Sequence, residues 1–208
     1  SKLNGNKLDA LFNNGAYALP GAVEDLSRDA LRDIFEVNFF GHVDLINKAL
    51  PLLRNSNDGR VINCSSVLGF AALPYRGAYN ATKFSIEAIT DTLRREDTGK
   101  SIKFILIEPG PIKTLIKENS IPHFEKWIDW QNSYLSNTYK NKVIQRLYDN
   151  KKSGYGYFEL ESKHVTKKLI LALTSRYPRK RYFVTYPTYI ANIITRLLPS
   201  NLQDVLFR

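Results

Sequence analysis

The chain has 208 residues, 43% of them apolar and 24% charged, a length and mix that suit one large globular domain with a real core. No apolar run is long enough to cross a bilayer, no segment reads as a signal peptide, and the single cysteine, Cys64, excludes internal disulfides and points to a reducing, cytoplasmic setting. The formal charge of +10 is dispersed, densest only at Arg179-Lys180-Arg181, so it reads as a solvated face without a nucleic-acid motif; the three histidines are scattered and neither CxxC nor HExxH occurs, so no metal site is expected.

Leu8–Phe12 is a short apolar run that stops at Asn13-Asn14-Gly15, a strand followed by a turn. Ser27 is the expected N-cap of a long helix, with acidic Asp29 in its first turn. Leu31, Ile34, Asn38, His42, Leu45, Ala49 and Leu53 recur at helical spacing, which places Asn38 inside the apolar stripe; Pro51 and residues 55–59 are expected to close the element. Arg60–Ser65 reads as a buried strand, with Cys64 as packing inside it. A loop of small residues then leads to a helix that carries Tyr79 and Lys83 and runs to about Arg95. Ile102–Ile107 is a continuous apolar run, as in a strand covered on both faces, and 108–111 (EPGP) is a hard stop. Residues from about 118 to 150 read as helical and aromatic, Lys151–Tyr157 as a Gly/Lys loop, Ser162–Thr174 as a helix and Tyr182–Thr185 as a strand. Residues 188–207 read as short amphipathic helices broken at Pro199.

Strands alternating with helices predict an α/β fold, a parallel sheet with helices on both faces. Ligands on such sheets bind outside the carboxyl ends of the strands. Asn13-Asn14, Ser66 and Pro109-Gly110 all fall there. Tyr79 and Lys83 lie four apart and share one helix face. A phenol with a pKa near 10 is a poor proton donor or acceptor at neutral pH, and an ammonium beside it favours the phenolate. The pair is therefore a candidate acid/base unit, and the Ser66 hydroxyl a candidate for holding a carbonyl against it. Taken alone, Tyr-x-x-x-Lys reads more readily as an exposed helical pair and Asn38 as a satisfied core amide, and Pro109-Gly110 reads as an ordinary turn.

Together these features resemble the classical short-chain dehydrogenase/reductases. Asn13-Asn14-Gly15-Ala16 is similar to the family's Asn-Asn-Ala-Gly with the last two residues exchanged. Asn38 in Val37-Asn38-Phe39-Phe40-Gly41 matches the helix asparagine, Ser66 the serine, and Tyr79 and Lys83 the tyrosine and lysine. Pro109-Gly110-Pro111-Ile112-Lys113-Thr114 matches the Pro-Gly-x-x-x-Thr loop. The closest flavour is the subgroup of 17β-hydroxysteroid and retinol dehydrogenases. The resemblance implies a Rossmann-like doubly wound sheet over a single domain, 1–208. It divides into core strands and catalytic helix (1–114), a substrate lid (115–160), and the last helix, strand and tail helices (161–208). One departure is large: the glycine-rich strand-to-helix turn that cradles a dinucleotide pyrophosphate is not found, and the sequence is expected to begin just before the family's fourth strand, with the first βαβαβ half absent.

The resemblance further implies an NAD(P)-dependent oxidoreductase, NADP slightly preferred, interconverting an alcohol and a ketone or aldehyde. It makes Tyr79 the proton donor and acceptor, Lys83 its electrostatic partner and a ribose ligand, and Ser66 the group that orients the substrate. Asn38 interrupts its helix and holds a water that relays protons to Lys83. It gives Asn13, Gly15, Pro109, Gly110, Ile112 and Thr114 to the cofactor. Thr114 is at the same time a candidate N-cap for the helix after it. The lid aromatics Phe124, Trp127, Trp130, Tyr134, Tyr139 and Tyr148 are read with equal weight as the wall of a bulky, apolar substrate site or as core. A homo-oligomer is expected. Membrane-surface contact through the tail helices is weighed against simple packing, which is the expectation. The competing reading of the whole chain is a remnant that keeps these residues without holding the dinucleotide.

Overall fold

A computed structural model describes residues 7–96, 102–148 and 158–208. The opening residues and the 151–157 loop lie outside the described residues. The main sheet holds β1 (Ala10–Asn13), β2 (Arg60–Cys64), β3 (Lys103–Glu108) and β6 (Arg181–Phe183), in that order and all parallel. The register sets Asn13 beside Asn63, Cys64 beside Ile107, and Ile107 beside Tyr182. β1 starts two residues later than the apolar pattern suggests because the ladder with β2 fixes it; the Leu8 N–H instead donates to Leu52 O at 3.1 Å. The helices are α1 (Arg28–Phe35), α2 (Gly41–Arg54), α3 (Gly77–Arg95), α4 (Ile116–Trp127), α5 (Ser136–Thr138), α6 (Gln145–Tyr148), α7 (Lys163–Thr174), α8 (Tyr186–Leu197) and α9 (Ser200–Leu206). A second, two-residue parallel pair joins β4 (Ile112–Lys113) to β5 (Leu160–Glu161), unmarked by any pattern in the sequence.

Pleating divides the core. Val61 and Phe104 face one side, against Ile46, Leu50 and Leu53 of α2. Their strand neighbours Ile62 and Ile105 face the other, with Ile107, Tyr182 and Ala172 of α7. A sheet covered on both faces follows, and with it the continuous apolar strands. A third cluster joins the segment after β1 and α1 to the 116–148 segment and includes Tyr17, Leu19, Ile34, Phe124 and Tyr139.

The long helix breaks where Asn38 sits. Ser27 Oγ accepts from Ala30 N–H at 3.1 Å, as its capping role requires. Between α1 and α2 the chain makes one π turn, Glu36–Phe40, with Asn38 fully buried in it. Pro51 does not end the element, which runs on to Arg54. Its ring faces solvent and the flanking Leu50 and Leu53 anchor the last turns in the core. The 118–150 stretch is not one helix either: α4 stops at Trp127, and residues 128–135 turn before α5.

Three surface expectations change. Phe124 and Tyr139 are fully buried, with Trp127 and Trp130 packed on their cluster, so these aromatics are core; Tyr134 and Tyr148 point outward. The tail does not pack its apolar residues away. α8 turns Thr188 and Ala191 inward and leaves Tyr186, Ile190, Ile193 and Leu197 exposed, and α9 leaves Leu202, Val205 and Leu206 exposed. Arg181 is not part of a solvated basic face, because three carboxylates enclose it. Among the described residues, no helix is long and apolar enough to cross a membrane.

Candidate active site

α3 begins after a turn in which Tyr75 takes a left-handed φ of 58°. The turn is held by the Gly21 N–H, which donates to Tyr75 O at 2.9 Å. Gly77 opens the helix where a Cβ would meet Val23 Cγ2 at 2.5 Å, so a larger residue there would push the exposed Val23 side chain aside. The helix then sets Tyr79 and Lys83 on its buried face.

The Lys83 ammonium is 2% exposed and donates to Cys64 O, at the carboxyl end of β2, over 2.9 Å. It lies 5.5 Å from the centroid of the Tyr79 ring. A buried ammonium is costly unless it is hydrogen-bonded. Here one strand carbonyl aims it at the tyrosine. Ser66 follows β2 and caps the short turn Val67–Gly69, its Oγ accepting from Leu68 N–H at 3.1 Å. That turn is tied to the end of β3 by the Val67 N–H, which donates to Pro109 O at 2.8 Å. Gly69 lets it press on α3, since a Cβ there would come within 2.5 Å of Ser65 Oγ and 2.9 Å of Glu87 Cγ.

Asn38 reaches the site through its neighbours. Its Nδ2 donates to Tyr17 O at 2.9 Å and to Thr82 Oγ1 at 3.2 Å, and its Oδ1 accepts from Tyr17 N–H at 3.0 Å. Thr82 Oγ1 in turn donates to Tyr79 O at 2.9 Å. The amide therefore ties the loop after β1 to the turn of α3 that bears the tyrosine. Asn13 joins a second chain: its Nδ2 donates to Asn63 Oδ1 at 2.9 Å, Asn63 Nδ2 to Thr90 Oγ1 at 2.8 Å, and Thr90 to Ile86 O at 2.6 Å. Asn13 Oδ1 is buried with no hydrogen-bond partner among the described residues.

The 109–114 segment is held from the far side of the sheet. A Cβ on Gly110 would lie 2.1 Å from Thr185 Oγ1 and 2.6 Å from Thr188 Oγ1, two hydroxyls that pair with each other at 2.9 Å. Ile112 is half-buried on β4, and Thr114 is exposed, its Oγ1 accepting from Ile116 N–H at 3.4 Å. The structure thus brings Asn38, Tyr79, Lys83 and the end of β2 into one network, with Ser66 and Pro109 joined on its edge. Ile112 and Thr114 sit farther out, at the entry to α4.

Two groups were missed in the sequence reading. His42 Nε2 lies 2.7 Å from Gly15 O, and burial pulls its pKa down, so the neutral ring donates there and fixes the backbone beside Asn13. Its position in the helical stripe was the available signal. Asn63, a polar residue inside the apolar run Val-Ile-Asn-Cys, was equally visible as a buried amide in need of partners.

The short chain dehydrogenase family matches residues 2–123. The chain is 33% identical over 202 residues to the oxidoreductase YbbO of Escherichia coli (strain K12), covering 97% of this chain and 68% of that protein. It is 32% identical over 205 residues to human retinol dehydrogenase 16, covering 94% and 62%. The fold superimposes with a TM-score of 0.71 on a crystal structure of a short chain dehydrogenase/reductase from Burkholderia phymatum in complex with NAD, at 22% identity, over 97% of this chain and 68% of that one. The chain spans about two thirds of the length of these proteins.

Proposed function

This chain belongs to the short chain dehydrogenase family, and from that premise we propose that it carries the proton-transfer half of an NAD(P)-dependent oxidoreductase site that interconverts an alcohol and a ketone or aldehyde. The observation that carries the reading is the Lys83 ammonium, buried beside the Tyr79 ring and held there by Cys64 O.

The bound dinucleotide supplies the hydride. The chain's own residues supply position and the proton. Tyr79 exchanges a proton with the substrate oxygen, and the Lys83 charge stabilises the phenolate left behind. The Ser66 hydroxyl turns from its capping bond to hold the same substrate oxygen. Asn38, through Tyr17 and Thr82, fixes the turn of α3 that bears the tyrosine, and its widened helical turn is the place for a water relaying protons to Lys83. Asn13, Gly15, Pro109, Gly110, Ile112 and Thr114 join Tyr79 and Lys83 in holding the nicotinamide end. The unpartnered Asn13 Oδ1 and the open space over Gly15, where a Cβ would meet nothing within 4 Å, fit that role.

A bulky or apolar substrate is supported by the likeness to a protein named for retinol. NADP is the preferred dinucleotide on the family resemblance. The family resemblance also supports a homo-oligomer, and the buried, unpaired Cys64 supports a cytoplasmic location. The decisive experiment is Tyr79→Phe. Turnover with NAD(P)H and a carbonyl substrate should fall by about 10²–10⁴-fold, the usual worth of a general acid. Dinucleotide affinity, read by NAD(P)H fluorescence, should stay within about twofold. Wild-type turnover in this variant would overturn the assignment.

A further inference from the structure

One arginine gathers the carboxylates behind the site. Arg181, on β6, places Nη1 on Glu87 Oε2 and 2.5 Å from Glu108 Oε1, and Nη2 2.8 Å from Asp91 Oδ2. Glu108 is fully buried and Glu87 is 7% exposed. Asp91 also accepts from Arg94 Nη1 at 2.7 Å.

The chain positions of these groups are informative. Glu87 lies one helical turn beyond Lys83 on α3. Glu108 is the last residue of β3, directly before Pro109-Gly110. The turn behind Ser66 rests on the same place, because Gly69 packs against Glu87 Cγ, Ser65 Oγ and Lys83 O. Arg181 therefore ties β6 to two segments that carry the site, α3 and the end of β3, and the turn behind Ser66 rests on Glu87. Burying such charges is an inefficient way to add stability, since well-packed apolar side chains hold two elements together at less cost. What the cluster adds is direction: a planar fork bonded to three carboxylates admits few arrangements.

We propose that Arg181 is a positioning residue for the reaction, clamping the helix that bears Tyr79 and Lys83 to the strand end that bears Pro109-Gly110 through Glu87, Asp91 and Glu108. The proposal rests on the reading of Tyr79 and Lys83 as the proton-transfer pair.

The clamp is sensitive to pH. Burial, followed by the neighbouring Glu87 charge, pushes Glu108 up to about 8. Burial also raises Glu87, against the opposing pull of Arg181. Asp91 would be raised by burial too, but Arg94 and Arg181 outweigh that and hold it below the usual range. The Ser65 hydroxyl, just after β2, also bears on Glu87. At neutral pH one proton is therefore retained by the Glu87/Glu108 pair, and the remaining charge matches Arg181. Above about 8 that proton leaves, and two carboxylates repel each other inside the clamp.

The test uses the purified enzyme with Arg181→Met, Arg181→Lys and Glu108→Gln, following kcat and KM from pH 6 to 9.5. Arg181→Met should lower kcat at least tenfold, with substrate KM changed less than threefold and an unaltered circular dichroism spectrum. Arg181→Lys, which keeps the charge and loses the fork, should recover part of the rate. Wild-type kcat should fall as pH rises through about 8. In Glu108→Gln, whose neutral amide mimics the protonated acid, that limb should vanish, so the wild-type to variant rate ratio drops about tenfold from pH 7 to 9. A folded Arg181→Met with wild-type kcat, or a Glu108→Gln profile that keeps the limb, overturns the clamp. If Arg181→Met does not fold, the Glu108→Gln profile alone decides. Should Tyr79→Phe abolish turnover while the clamp variants behave like wild type, only the clamp fails; should Tyr79→Phe retain turnover, the underlying reading fails.

Discussion

Asn38→Asp exchanges the amide nitrogen for an oxygen and removes a donor, and its effect on stability can be worked from the geometry. The wild-type amide is fully buried and donates to Tyr17 O at 2.9 Å and Thr82 Oγ1 at 3.2 Å. An ionised carboxylate there would set one acceptor against another at hydrogen-bond distance, so the introduced carboxyl must keep a proton in the fold. Holding it protonated costs about 1.4 kcal/mol for each pH unit above the free value near 3.9. That is about 1.5 kcal/mol at pH 5 and about 4 kcal/mol at pH 7. Losing one neutral donor, the one to Thr82, adds about 1 kcal/mol at any pH. The sign follows from linkage: a carboxyl whose folded pKa exceeds its unfolded one stabilises most below the unfolded value, and that stability is lost as pH rises towards the folded one. Urea unfolding of wild type and variant at pH 5, 6 and 7 should show a destabilisation growing from about 2.5 to about 5 kcal/mol. A penalty that does not change with pH, or one below about 1 kcal/mol at pH 7, would refute the donor roles assigned to this amide.

Gly110→Ala should destabilise by about 1–3 kcal/mol in the same assay, because the new methyl would fall on the Thr185 and Thr188 hydroxyls; adding Thr185→Ala should recover much of the loss, and no recovery would show that the strain lies elsewhere. Tyr139→Phe removes the acceptor of the Ala22 N–H, bonded at 2.7 Å, and a donor to Asp25, also at 2.7 Å. The buried amide left behind should cost about 1–3 kcal/mol by urea midpoint, and a change under about 0.5 kcal/mol would contradict the bond. Cys64 should resist iodoacetamide at pH 8 in the native protein and react on unfolding, since burial both shields its thiol and pushes its pKa up; rapid native labelling would contradict the packing.

The strand and helix order was legible because the signals were local. Apolar runs marked β2 and β3, helical periodicity marked α1 and α2, and Ser27 marked a helix start. The shared face of Tyr79 and Lys83 was legible because a four-residue spacing on a helix fixes it. What stayed hidden depends on contacts distant in sequence. Nothing around Arg181 announces partners 94, 90 and 73 residues away, so it read as one of a basic triplet. Tyr139 gave no sign that its hydroxyl would reach Ala22, 117 residues off, and the lid aromatics were therefore undecided between substrate wall and core. The tail misled for the converse reason. An amphipathic pattern says that one face is apolar, and packing onto the domain was assumed, whereas α8 turns that face outward.

The buried face of α3 explains why the site and the fold are hard to separate. A helix on a sheet ordinarily buries an apolar stripe. Here the buried positions include Tyr79, Asn80, Thr82, Lys83, Glu87 and Thr90, with few apolar neighbours such as Ala78 and Ile86. The named bonds from this face reach three other elements: Thr82 bonds Asn38 in the π turn, Lys83 and Thr90 bond Cys64 O and Asn63 on β2, and Glu87 bonds Arg181 on β6. Apolar contacts tolerate small slides, because dispersion is non-directional. Hydrogen bonds lose most of their worth within a few tenths of an ångström or some tens of degrees. A polar seam therefore fixes where α3 sits along and around its axis more tightly than an apolar one would. Tyr79 and Lys83 ride on that placement, as does the proton transfer proposed for Tyr79. Replacing the seam piecemeal leaves buried groups without partners, and replacing it wholesale with apolar residues would give a helix that still binds the sheet but no longer holds its tyrosine in one place.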